Sequence, residues 1–128
     1  MKNFKIALLA LFLGAIAIVG TASKASAQTT QYYTFNTTFV LGTTPSTPIS
    51  TPGNWTSAGS DPVTICPGGT LLCGFKVVIN SGSPTFQNII DAIKEYYDTH
   101  SNSLPHNTSF NKTVPGSYSI TITPYLKS

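Results

Sequence analysis

The most informative segment for the fold runs from Ser83 to Asp98 and reads SPTFQNIIDAIKEYYD. Its apolar side chains recur at the spacing of one face of an amphipathic helix. They are Phe86, Ile89, Ile90, Ile93 and Tyr97. Ser83 can cap the free backbone N–H groups, and Pro84 suits the first helical position. The sequence therefore predicts a helix that begins at Pro84 and ends near Asp98 to Ser101.

Alternating segments on both sides of this helix predict strands. Before it, residues 31–41 and 74–80 alternate between apolar and polar side chains, and residues 63–66 form a shorter candidate. After it, residues 102–116 are predicted to be irregular and residues 117–123 to form a strand that ends, or lies at an edge, at the following proline. This order predicts an α+β fold, a small antiparallel sheet of three to five strands with one amphipathic helix packed on one face.

The first part of the chain, residues 1–27, has the pattern of a secretory signal peptide. A start with two lysines precedes the apolar or small run Ile6–Gly20, and Ala25-Ser26-Ala27 matches the A-x-A cleavage site. A membrane anchor is the alternative interpretation, but a spanning helix needs about 20 apolar residues. We therefore expect cleavage before Gln28 and no stable membrane anchor afterwards. Residues 28–128 would then form one small domain that is secreted or periplasmic.

The two cysteines of the chain, Cys66 and Cys73, are predicted to form a disulfide. An even pair in an exported chain is typical of a structural bridge. The Pro-Gly-Gly sequence after Cys66 is a turn signal that can bring the two ends together. Six intervening residues do not fit the two-residue spacing of redox or zinc motifs.

The charge of the predicted mature chain argues against a nucleic-acid partner. The formal charge of the whole sequence is +3, but the chain has no arginine and three of its lysines precede Gln28. The remaining four lysines are balanced by four carboxylates. Binding to a phosphate backbone depends on clustered basic residues.

Few side chains suggest catalysis or metal binding. Asp98, His100 and His106 could form a metal or acid/base cluster beyond the helix end, but solvated side chains are the favoured interpretation, with His100 near the negative end of the helix dipole. Asp91 and Glu95 could resemble an acid/base pair, although an ordinary wet helix face explains them better. We predict no catalytic residues and no metal site.

Motifs for cofactors and activated nucleophiles do not match either. Gly68-Gly69 lacks the Lys-Ser/Thr ending of a phosphate-binding loop. No serine lies in a G-x-S-x-G elbow. The sequence therefore predicts a protein that is not an enzyme and has no cofactor.

Aromatic side chains are the remaining candidates for binding. Trp55 lies in a turn-rich region, and an exposed ring there could contact a sugar or a protein partner. The alternative, which we favour, is that Trp55 closes one edge of a small core. Tyr32, Tyr96 and Tyr125 are expected near solvent or near element ends.

The leader, Trp55, the Cys66 and Cys73 pair and the strand after it resemble a group of small exported proteins of unknown function from Bacteroidota. That resemblance implies export and a disulfide and assigns no functional residue. The leading hypothesis is an exported, non-enzymatic protein with a structural or binding role and an unknown partner, either a protein or a glycan. The alternatives are a surface adhesin or carbohydrate-binding module, and a small secreted hydrolase or metal-dependent enzyme.

Overall fold

A computed structural model describes residues 28–128, so the predicted signal peptide lies outside the described residues. The described chain contains five strands and one α-helix. In chain order they are β1 (Thr29–Phe35), β2 (Trp55–Ala58), β3 (Leu71–Ile79), α1 (Phe86–Thr99), β4 (Phe110–Val114) and β5 (Tyr118–Lys127). Short 3-10 turns occupy Thr47–Ser50, Pro52–Asn54 and Pro62–Thr64. No helix within residues 28–128 is long and apolar enough to cross a membrane.

The five strands form one sheet in the order β2-β1-β3-β5-β4, and every neighbouring pair is antiparallel. This confirms the predicted α+β fold with one helix. The two strands on either side of α1, whose relative direction the sequence left open, are antiparallel neighbours at the centre of the sheet.

One face of the sheet packs against α1 and forms the hydrophobic core. The helix contributes its buried apolar face, and the sheet contributes alternate residues from β1, β3 and β5. The main side chains of this cluster are Phe35, Phe75, Val77, Ile89, Ile90, Ile93, Tyr97, Ile120 and Ile122. Tyr97 also donates its phenol hydrogen to the backbone oxygen of Thr43 at 2.7 Å, which ties α1 to the loop after β1.

The helix begins later than predicted. Thr85 is the N-cap, and its hydroxyl accepts a hydrogen bond from the backbone N–H of Asn88 at 3.1 Å. Ser83 is therefore not the cap, and Pro84 lies before the helix rather than in its first turn. The reason is that the helix takes Phe86 as its first residue, which packs against the core and stacks on Tyr33.

The strands differ from the prediction in several places, and β1 and β3 begin earlier than predicted, at Thr29 and Leu71. The strand predicted for residues 31–41 ends at Phe35, and residues 63–66 are not a strand because a 3-10 turn occupies Pro62–Thr64. Residues 110–114 were predicted to be irregular but form β4, and β2 was not predicted at all. Both strands obtain their order from pairing with a longer neighbour, which local sequence does not reveal.

The last strand continues through Pro124 instead of ending there. Pro124 is opposite Phe75 on β3, and β4 reaches only as far as Ile122 on the other side of β5. The carbonyl of Pro124 accepts from the N–H of Asn107, which lies on that β4 side. The N–H and C=O of one strand residue point to the same side of the strand. The missing N–H of Pro124 would therefore point to the β4 side, where β4 no longer pairs with β5, so its absence costs no hydrogen bond of the sheet.

Candidate functional site: the open face of the sheet

Trp55 lies in the core and is not available as a surface ligand contact. Its side chain is 7% exposed. The indole Nε1 donates to the backbone oxygen of Ile49 at 2.8 Å, and the ring packs edge-on against Phe35 and Phe75. The structure therefore does not support a binding role for Trp55.

The disulfide joins Cys66 to Cys73 beside one end of the sheet. Cys73 is an extra residue in the pairing of β3 with β5, between Leu72 and Gly74, and this bulge directs its side chain toward the bridge. Both cysteines are buried, and they form a small second cluster with Tyr125. The disulfide predicted from the cysteine spacing is present.

Tyr125, expected at a solvent face or near an element end, lies near the end of β5 and is buried in this second cluster. Burial is the main cause that raises the pKa of its phenol well above the ordinary value of 10.0. A hydrogen bond with Asp61 raises the pKa further, because the carboxylate favours the neutral phenol. Asp61 also accepts from the backbone N–H of Val63 at 3.1 Å, so it holds the turn that leads to Cys66.

The histidines have separate surroundings. His100 stacks on Tyr96 with ring centroids 3.7 Å apart, and its Nδ1 lies 2.9 Å from the backbone oxygen of the same residue. His106 instead accepts from the backbone N–H of Leu126 at 3.0 Å. Within residues 28–128, no group of three histidine, cysteine or acidic side chains is placed to hold a metal ion.

Asp98, the third member of that sequence cluster, is engaged elsewhere. Lys94 donates to one carboxylate oxygen at 2.7 Å, and Ser46 donates to the other at 2.5 Å. These two hydrogen bonds, with Lys94 first, lower the pKa of Asp98 below its ordinary value of 3.8. The contact joins the helix end to the loop after β1, which is a structural role.

Asp91 and Glu95 lie on the exposed face of α1, as the wet-face interpretation expects. Asp91 accepts from the side-chain amide of Gln87 at 2.8 Å. Glu95 forms an ion pair with Lys112 of β4 at 3.0 Å. The two carboxylates therefore have different partners.

The second face of the sheet, which we call the open face, lies opposite α1. Alternation along the five strands places mainly hydroxyl and amide side chains there. Its members include Thr30, Tyr32, Thr34, Thr56, Lys76, Val78, Asn111, Thr113, Ser119 and Thr121. All of these are half-buried or exposed.

Hydrogen bonds connect part of the open face into a row that crosses three strands. The amide of Gln28 donates to Asn80 at 3.1 Å, and the amide nitrogen of Asn80 donates to the hydroxyl of Thr121 at 2.9 Å. Thr121 in turn donates to the side-chain oxygen of Asn111 at 2.8 Å. Each bond fixes the orientation of a polar group on the open face.

An aromatic ring and a lysine lie on the same face of the sheet as this row. Cross-strand pairing aligns Tyr32 on β1 with Lys76 on β3, and Lys76 with Thr123 on β5. The side chain of Tyr32 is half-buried, so part of its ring remains accessible. Sequence reasoning missed this arrangement because it depends on the register of the strands.

Comparison with family models, with curated proteins and with solved structures gives no match to this chain. The resemblance to exported Bacteroidota proteins therefore stays a prediction from the residues.

Proposed function

We propose that this chain is an exported, non-enzymatic binding module and that the open face of the sheet is its binding surface. The signal-peptide pattern of residues 1–27 and the buried bridge between Cys66 and Cys73 support export, because such bridges persist in oxidising compartments. The open face supports a binding role because it presents half-buried and exposed polar side chains on the side of the sheet away from the helix.

The ligand class that best fits this surface is a glycan. Sugar hydroxyls both donate and accept hydrogen bonds, and the side chains of Asn111, Thr121 and Asn80 offer both capacities. The accessible part of Tyr32 can pack against the apolar face of a sugar ring while its phenol stays hydrated. The hydrogen-bonded row across β3, β5 and β4 is the observation that carries this proposal, since its groups are oriented before any ligand arrives.

The same face suits a neutral or acidic glycan better than a basic ligand. Lys76 places a positive charge among the uncharged side chains of the open face. A carboxylated or sulfated sugar would gain from Lys76, while a neutral one would depend on the hydroxyls, the amides and Tyr32.

A glycan array probed with the purified full chain tests the proposal. We expect binding to a subset of oligosaccharides, and Tyr32→Ala should weaken that binding at least tenfold because it removes the ring of the open face. Tyr96→Ala is the matched control, since Tyr96 stacks between Phe110 and His100 on α1, away from the open face.

Trp55→Phe distinguishes the two aromatic candidates. Because Trp55 is buried, this substitution should leave glycan binding unchanged in a folded variant. The proposal is wrong if no glycan binds, or if Tyr32→Ala and Tyr96→Ala behave alike.

A further inference from the structure

A cleft of about 170 Å³ lies between α1 and the edge strand β4, and Thr113 is the residue that it shares with the open face. Its walls come from the exposed side of the helix and from the end of the strand. The lining residues are Asn88, Asp91, Ala92, Glu95, Thr113, Val114 and Pro115. The base is apolar because Ala92 and Val114 are buried, while the rim on the helix side carries carboxylates.

One wall of this cleft is a free strand edge. Among the described strands, β4 pairs only with β5, so its other side forms one edge of the sheet. An edge strand presents alternate N–H and C=O groups that can pair with a further extended chain. A peptide that pairs with this edge would place every second side chain over the cleft, against the exposed face of α1.

The charge of the cleft selects among such peptides. Glu95 is already neutralised by Lys112 at 3.0 Å. The ion pairs within residues 28–128 join Lys94 to Asp98 and Lys112 to Glu95, so Asp91 has no cationic partner there. The cleft therefore retains about one negative charge, next to an apolar base.

We propose that an extended peptide with one lysine or arginine, flanked by uncharged residues, adds to β4 as a sixth strand and places its basic side chain against Asp91. This inference goes beyond the proposed glycan binding and does not depend on it. Backbone pairing with β4 would supply affinity, and the carboxylate would supply selectivity.

A second copy of this chain is a poorer occupant of the same edge. Two β4 edges that pair with each other would bring together two clefts that each keep the unpaired negative charge of Asp91. Like charges brought together at an interface disfavour that contact. A partner with one basic residue opposite Asp91 compensates the charge instead.

The test uses the probe Ac-Thr-Val-Arg-Val-Thr-NH2 in a titration of the isotopically labelled full chain followed by amide NMR shifts. We expect shifts concentrated in Phe110–Val114 and in the helix from Asn88 to Glu95. The matched probe Ac-Thr-Val-Glu-Val-Thr-NH2 should bind about tenfold more weakly than the arginine probe, because repulsion by Asp91 replaces attraction. Asp91→Asn should weaken binding of the arginine probe about threefold to fivefold, as expected for an exposed ion pair.

Two N-methylated versions of the arginine probe test strand pairing itself. In an extended peptide the N–H groups of successive residues point to opposite edges, so only alternate ones face β4. The N–H groups of the two valines therefore point to one edge and that of the arginine to the other, and N-methylation of the valines and of the arginine should differ in effect. Only one of the two should lose binding. If both bind as the parent does, or if neither binds, strand addition to β4 is wrong.

Two further outcomes would also overturn the proposal. Shifts confined to β2, the other edge strand, or to the open face would place the peptide elsewhere. A concentration-dependent dimer in analytical ultracentrifugation, with concentration-dependent amide shifts in Phe110–Val114, would show that a second copy covers the edge.

Discussion

Reduction of the bridge between Cys66 and Cys73 is expected to lower the free energy of unfolding by about 2.5 kcal/mol. The cysteines are seven positions apart, so the bridge closes a loop of about eight residues, and the loop-closure entropy of that length gives this value. For a domain of this size the change corresponds to a decrease of about 10–20 °C in Tm.

The packing of the sulfur atoms adds to the effect in a substituted protein. Cys66 is 0% and Cys73 is 5% exposed, and both contact the cluster around Tyr125. Double substitution with alanine leaves a small cavity there, which costs about another 1–2 kcal/mol. Reduction with a phosphine keeps the sulfurs in place, so it isolates the contribution of the cross-link.

Urea unfolding followed by tryptophan fluorescence measures both effects, because Trp55 is the single tryptophan of the chain and is buried. The oxidised, reduced and doubly substituted proteins should unfold in that order of decreasing stability. A difference below about 0.5 kcal/mol between the oxidised and reduced proteins would refute the reasoning, since a chain constraint of this length could not then act on the unfolded state.

Three other predictions concern single side chains. Trp55→Ala should destabilise the protein by about 3–5 kcal/mol, measured by urea unfolding with circular dichroism, because a large buried ring leaves a cavity; a cost below about 1 kcal/mol would contradict its place in the core. The pKa of Asp98, determined by NMR, should lie below 3.8 and should rise in Lys94→Ala. Because folding lowers this pKa, the ionised Asp98 stabilises the folded state above pH 3.8, and this stabilisation is lost as the pH falls through the folded pKa. In a spectrophotometric titration, the phenol of Tyr125 should stay protonated above pH 10.0, and Asp61→Asn should make it easier to ionise. Because the pKa of this phenol is raised on folding, the folded state should lose stability as the pH rises above 10.0. Ionisation at the ordinary pKa would show that the phenol is exposed.

The helix and the central strands could be predicted because their patterns are local. The apolar positions from Phe86 to Tyr97 repeat at helical spacing, and the residues of β3 and β5 alternate. The helix start was misplaced because Ser83 and Thr85 are both good caps, and only the packing of Phe86 selects between them.

The edge strands could not be predicted because tertiary pairing creates them. In β4, Lys112 points toward the helix side of the sheet, which interrupts the apolar alternation, and it is accommodated there by its ion pair with Glu95. In β2 only Trp55 is buried, and the other side chains of the strand are small. The segment is extended because it pairs with β1.

The candidate site was missed for a related reason. Threonine and asparagine look the same in a loop and on a sheet, so nothing local marks Thr121 and Asn111 as neighbours of Asn80. Only the register of β3, β5 and β4 aligns them. The tryptophan, which is the stronger local signal, has its ring in the core instead.

The mass of the protein recovered from outside the cytosol, measured intact before and after reduction, tests most directly whether this is an exported and oxidised domain. We expect a chain that begins at Gln28 and gains the mass of two hydrogens on reduction of the bridge between Cys66 and Cys73. A chain that keeps residues 1–27, or a mass that reduction leaves unchanged, would contradict this expectation.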